Sequence, residues 1–234
     1  MTEYPKVMRL FAMLAARPGV ALEQLKAALQ QRRAALQQRF GDEAQLDIGV
    51  RRLHDPFAAI GGERKVETAD AILQLSYHER ALIGDILPRL GGLAAELADS
   101  IDITRSSLSI GLSLQIVDLK ADIFFGFVGR RRPDLIPAQM SVWWLEKHAP
   151  LSLKLVGPMH GYAQMHFDIE ASRTVAEAAG FPHVPYDMGD SIEIPDLEKF
   201  VRVLSDPELS RIFYEDEQQF LDTTSWRIAF TDKI

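Results

Sequence analysis

The chain has no cysteine among its 234 residues. Disulfides, thiolate metal sites and cysteine nucleophiles are therefore excluded, and a reducing cytoplasm is the expected setting. Long hydrophobic runs are also missing. No segment approaches the roughly 20 apolar residues that a membrane helix needs. The opening MTEYPKVMRLF lacks the basic region and apolar stretch of a secretory signal, so a cytoplasmic protein without a membrane partner is expected. There is no glycine-rich phosphate loop, no G-x-S-x-G and no Ser/His/Asp pattern, which argues against nucleotide binding and serine hydrolysis. Positive charge is short: 26 basic residues stand against 33 acidic ones, for a net charge of −7. Nucleic acid is not an expected partner. The one basic run, Arg130-Arg131-Arg132, reads as a solvated turn before a helix.

With 47% hydrophobic and 25% charged residues, the chain can build a sizeable core. Its elements fall into two similar halves. In the first, residues 6–14 read as a strand and 21–40 as a helix, with Leu22, Leu25, Leu29 and Leu36 near one face. Residues 45–53 alternate as a strand, with Leu46, Ile48 and Val50 opposite Asp47, Gly49 and Arg51. A loop is expected over 54–68, a strand over 69–76, a broken helix over 80–98 and a strand over 108–117. That last strand has a second face of Ser109, Gly111, Ser113 and Gln115, small and uncharged as befits a lining beneath another layer. The second half repeats the order: strand 121–128, helix 133–148, strand 159–169, turn-rich connection 174–188, strand 190–194, broken helix 195–221 and strand 224–230. Each half is then a βαββαβ, ferredoxin-like unit, residues 1–118 and 119–234, in an α+β fold. Each sheet has helices on one face, so the two bare faces are expected to cover each other and enclose a barrel-like space.

The strand 159–169 stands out. His160, Tyr162, Gln164, His166 and Asp168 alternate with Met159, Gly161, Ala163, Met165, Phe167 and Ile169. Alternate residues of a strand point to opposite faces. A face of imidazole, phenol and amide groups reads as the wall of a pocket, and the expectation is that it points between the two sheets while the apolar face meets the helices. The matching strand of the first half has no such set, so one site per chain is expected.

The run Trp143-Trp144-Leu145-Glu146-Lys147-His148-Ala149-Pro150-Leu151, followed by Gly161-Tyr162-Ala163-Gln164-Met165-His166, resembles the EthD family. The resemblance spans about residues 118–234. It implies the dimeric α/β-barrel superfamily, here with both ferredoxin-like modules in one chain. Some barrels of this kind are cofactor-free cyclases, decarboxylases or dehydratases acting on aromatic polyketides, and others bind haem.

Histidine titrates near neutrality, so His166 is the first candidate for a general acid/base, and it matches the strand histidine of the family. Tyr162, two strand repeats away and about 13 Å along an extended chain, is the candidate donor to a developing oxyanion. His148 ends the expected helix, where the helix dipole favours a cation; it is the third catalytic candidate. His160, Gln164, Trp143 and Trp144 are candidate substrate-binding residues. The adjacent tryptophans cannot face the same way, so one belongs to the core. His160 and His166 lie about 20 Å apart along the strand, too far to share an ion, and no metal site is expected. The expected activity is acid/base chemistry without a cofactor on a small apolar, aromatic or polyketide-like molecule. Two alternatives stand beside it: a carrier for a hydrophobic intermediate, and a haem-binding barrel. Pairing of two chains is left open.

Overall fold

The computed structural model describes residues 4–53, 67–78, 83–157 and 160–234. The first half contributes β1 (Lys6–Ala16), α1 (Leu22–Phe40), β2 (Gln45–Arg51), the two-residue β3 (Glu67–Thr68), β4 (Ala71–His78), short helical turns α2 (Ile83–Ile86) and α3 (Leu93–Leu97), and the long β5 (Ile101–Val117). The second contributes β6 (Ile123–Gly129), α4 (Pro137–Trp143), a π-helical turn (Trp144–His148), α5 (Ala149–Val156), β7 (Gly161–Phe167), α6 (Ile169–Ala179), β8 (Met188–Ile194), α7 (Leu197–Leu204), α8 (Pro207–Glu217) and β9 (Arg227–Lys233).

The strands lie in the order β2-β4-β1-β5-β7-β8-β6-β9, and β9 pairs back onto β2 to close an eight-stranded barrel. Each half has the same antiparallel arrangement, β5-β1-β4-β2 and β9-β6-β8-β7. This is the strand order of a ferredoxin-like unit, so the expected α+β architecture is present. The halves join twice, at β5–β7 and at β9–β2. Closure satisfies the edges of all eight strands, which removes the hazard of open edges.

Outside the first half's sheet, Leu10 and Leu14 of β1, Ile48 of β2, Leu73 and Leu75 of β4 and Ile110 of β5 pack with Leu25, Leu29 and Leu36 of α1 in the largest apolar cluster. The barrel interior has a separate cluster drawn from both halves, including Phe11, Ile72, Phe124, Val128, Met165 and Phe167. It is filled tightly. A Cβ on Gly49 would stand 2.3 Å from Thr231 Oγ1, and one on Gly126 would stand 2.4 Å from Ile72 Cδ1. These two glycines let strands from opposite halves approach each other. Arg9 is also buried, and desolvation lowers its pKa to about 10 against the pull of Asp47 and Glu193. Glu193 accepts from Lys233 Nζ at 2.6 Å and from the Ala121 amide at 2.9 Å.

The structure corrects the sequence reading in three places. The interior face of β7 is the apolar one: Met165 and Phe167 lie inside the barrel. Tyr162, Gln164 and His166 point outward, beneath the second half's helices. The helix expected to end at His148 starts at Pro137 and runs on to Val156. Pro150 has no amide hydrogen and its ring crowds the preceding turn, and the π-turn just before it absorbs that conflict, with the Ala149 amide reaching back to the Trp144 carbonyl. Finally, residues 174–179 of the connection expected over 174–188 belong to helix α6, while 180–187 are irregular as expected. Asp168 does not continue β7; its side chain caps α6 by accepting from the Ala171 amide at 2.9 Å. Of the loop expected over 54–68, residues 54–66 lie outside the described residues, as do residues 80–82 of the expected broken helix and Met159 of the expected strand.

Candidate functional site

β7 carries the site because it sits at the junction of the two halves, between β5 and β8. Its outward face lies under the α4–π-turn–α5 segment. Gln164 is fully buried; its Nε2 donates to the Trp144 carbonyl at 3.0 Å and to the Tyr162 hydroxyl at 2.8 Å. The π-turn thus presents one carbonyl to both Ala149 and Gln164. His166 Nδ1 lies 3.0 Å from Ser141 Oγ of α4, and its ring is 4.8 Å from the Trp144 ring. Trp144 is 1% exposed and Trp143 is 36% exposed, so the pair divides between core and surface.

His148 Nδ1 is 2.7 Å from Asp216 Oδ2 of α8, and Trp143 Nε1 donates to the other oxygen of Asp216 at 3.1 Å. His148 and Asp216 therefore connect a surface tryptophan to the interior. His160 is also buried, with its ring 6.2 Å from Tyr162 and 5.7 Å from Phe200 of α7. All seven expected site residues lie on or over this one face, with Trp143 at its rim.

Sequence reasoning missed Asp190. It pairs directly with Gln164 across the β7–β8 ladder, so it shares the same outward face. Its Oδ1 is buried, while the residue as a whole is half-buried. Desolvation raises its pKa to about 7; Glu217 pushes the same way and His148 opposes. The signal was present in MGDSIEI, where Asp190 is the sole charge on a face otherwise made of Met188, Ile192 and Ile194. Asp216 and Ser141 could not be found this way. They stand on helices distant in sequence, and only the packing of α4 and α8 brings them here.

The other groups have diverging electrostatics. Burial lowers the pKa of both His160 and His166 to about 4, so both imidazoles are neutral at physiological pH. Burial alone would do the same to His148, but the hydrogen bond to Asp216 and the charges of Asp190 and Glu217 outweigh it and raise its pKa. Tyr162 is pushed well above the usual phenol range by burial and by the charge of Asp190, against hydrogen bonds from Gln164 and Trp144. It remains a neutral hydroxyl. Three buried atoms on the strands of this face, Gln164 Oε1, His166 Nε2 and Asp190 Oδ1, have no hydrogen-bond partner, and neither does His160 Nδ1 just ahead of β7.

Among the described residues, no group of three or more His, Asp or Glu side chains is placed to hold a metal ion. Trp144 packs against the ring of His166 at 4.8 Å. Phe220 in turn lies over both Trp144 and His148, at centroid distances of 6.4 and 5.3 Å. No described helix is long and apolar enough to cross a membrane.

The closed barrel and its helix-covered outer faces place the chain among dimeric α/β-barrel folds. Solved structures share that fold at low identity. A mutant chlorite dismutase from Candidatus Nitrospira defluvii superposes with a TM-score of 0.56 at 11% identity, covering 100% of this chain and 92% of that one. A protein described as a chlorite dismutase gives 0.55 at 13%, covering 98% and 95%. One described as a monooxygenase, from Lactobacillus acidophilus, gives 0.50 at 10%, covering 98% and 94%. Within the chain, residues 132–224 match the EthD domain family model. The match takes in α4 through α8 and so contains the whole candidate site, as the resemblance in sequence implied. No curated protein matches the chain in sequence.

Proposed function

We propose that the protein is an acid/base enzyme. It moves a proton on a small, largely apolar carbonyl or phenol compound held between the second half's sheet and its helices. The observation that carries this reading is the set of three unpartnered buried atoms, Gln164 Oε1, His166 Nε2 and Asp190 Oδ1, on one sheet face. A buried polar group left unpaired costs about 1–3 kcal/mol, and three together imply a polar guest. One of the three belongs to a carboxyl that titrates near neutrality, the condition under which a group both gives and takes protons efficiently.

The roles follow from the electrostatics. Asp190 exchanges the proton. The neutral Tyr162 hydroxyl donates to an oxygen on which negative charge develops. His166, held by Ser141 through Nδ1, turns Nε2 toward the guest. His148 and Asp216 hold charge near Asp190 and link the site to the surface. Such a set serves decarboxylation, dehydration or cyclisation without an organic cofactor. In this reading residues 119–234 carry the chemistry, and residues 1–118 form a second module that completes the barrel.

The test is turnover of aromatic β-keto acids and polyketide-like phenols by the purified protein. Asp190→Asn should abolish turnover, and His166→Ala should depress it severely, with both variants retaining their circular dichroism. Unchanged turnover in both would refute the assignment. Saturable binding of these compounds without product would identify a carrier instead, and a Soret band in protein purified with haem would identify a haem protein.

A further inference from the structure

A second site lies at one end of the barrel, away from the candidate centre. A cavity of about 440 Å³ opens there, within the ~300–1,000 Å³ range of small-molecule pockets. Arg105, Arg130 and Arg227 line it, together with Tyr186, Trp226 and Glu67. Arg227 is the unusual member. Its side chain is 4% exposed, and its Nε and Nη2 have no hydrogen-bond partner. Nη1 makes one long contact, 3.5 Å to the Met13 carbonyl. Glu67 Oε1 stands 3.7 Å from Nε, beyond hydrogen-bond range.

Nε and Nη2 form one edge of the guanidinium plane, with their N–H bonds nearly parallel. That edge matches the two oxygens of a carboxylate. The surroundings favour a monoanion with a flat body. Trp226 and Val184 supply apolar walls. The carboxylates of Glu67 and Asp222 also line the cavity and would oppose a dianion. Asp222 is already engaged, accepting from the amide and hydroxyl of Thr224 at 3.0 and 2.7 Å. Glu67 is 55% exposed at its side chain and can turn toward solvent.

We propose that this cavity binds a small aromatic carboxylate, with its carboxylate on the Nε–Nη2 edge of Arg227 and its ring against Trp226, displacing Glu67. Arg105 and Arg130, both exposed at the rim, attract it.

The probe is benzoate, titrated calorimetrically into the full chain, with benzamide and inorganic phosphate as comparisons. Benzoate is expected to bind saturably at one site, and benzamide about tenfold more weakly or worse, since it lacks the charge-assisted pair. Arg227→Lys keeps the charge but removes the paired edge, and should weaken benzoate about tenfold. Glu67→Gln removes the competing carboxylate and should tighten it several-fold, which keeps the test informative if Arg227→Lys does not fold. Absence of benzoate binding in both the natural protein and Glu67→Gln would overturn the proposal. So would equal affinity in Arg227→Lys, or a preference for phosphate.

Discussion

Replacement of Asp190 by Asn should make the protein more stable, and increasingly so as pH rises. The carboxyl has a pKa of about 7 in the folded chain against 3.8 for an unperturbed aspartate. The folded state therefore holds this proton more tightly than the unfolded state does. Its stabilising contribution is fully present below about pH 4, declines as pH rises, and is lost once pH passes about 7. Each pKa unit corresponds to about 1.4 kcal/mol, so the gap of about three units amounts to about 4 kcal/mol. Asparagine has nearly the same shape and cannot ionise, so it removes this dependence. Urea unfolding followed by tryptophan fluorescence should show the stability difference between variant and parent widening by about 3 kcal/mol from pH 5 to pH 8, then levelling off. A difference that stays constant across that range would show that Asp190 is not a buried carboxyl with a raised pKa. The proton-exchange role assigned to it would fall with that result.

Other consequences can be checked separately. Asp216→Asn replaces with a neutral amide the carboxylate that helps sustain the raised pKa of His148, so the imidazole titration followed by NMR should move downward; an unmoved titration would show the pair is not coupled. Trp144→Ala should cost about 3–5 kcal/mol in chemical unfolding, because a fully buried aromatic side chain leaves a cavity between helix and sheet. Gly126→Ala should lower the melting temperature by an amount equivalent to about 1–3 kcal/mol, since the new methyl group meets Ile72 and Phe11 across the barrel. A neutral result there would mean that the barrel interior is less tightly filled than its packing implies.

Much of the fold was legible in sequence. The order of elements, the doubled βαββαβ pattern and the break before Pro207 follow from periodicity and from proline and glycine positions. The cluster of His, Tyr and Gln on one strand face was legible as well, and these residues do come together. The direction of that face was not. Alternation separates two faces of a strand but does not say which one meets helices, and here Met165 and Phe167 were large and apolar enough to suit either layer. α6 was hidden because Asp168 continues the polar alternation of β7 while acting as a helix cap. The helix through Pro150 was hidden because proline ordinarily ends a helix, and a π-turn is a tertiary accommodation with no local sequence mark. Asp190 was legible in principle, as a lone carboxylate on an apolar face. Its importance depends on Gln164 standing opposite, which only the strand register reveals.

The closure of the barrel by β9 has a consequence for synthesis. β9 is the last of the nine strands among the described residues in chain order, yet it pairs with β2, and the Ile234 amide donates to the Ile48 carbonyl at 3.0 Å. The first module can be translated and helix-covered well before its partner strand exists. Until then β2 leaves the ribosome as an open edge, and the face bearing Gly49 and Arg9 stays wet. The nascent chain therefore passes through an interval in which half a barrel waits for the other half, and in that interval β2 of one chain can accept a strand from another.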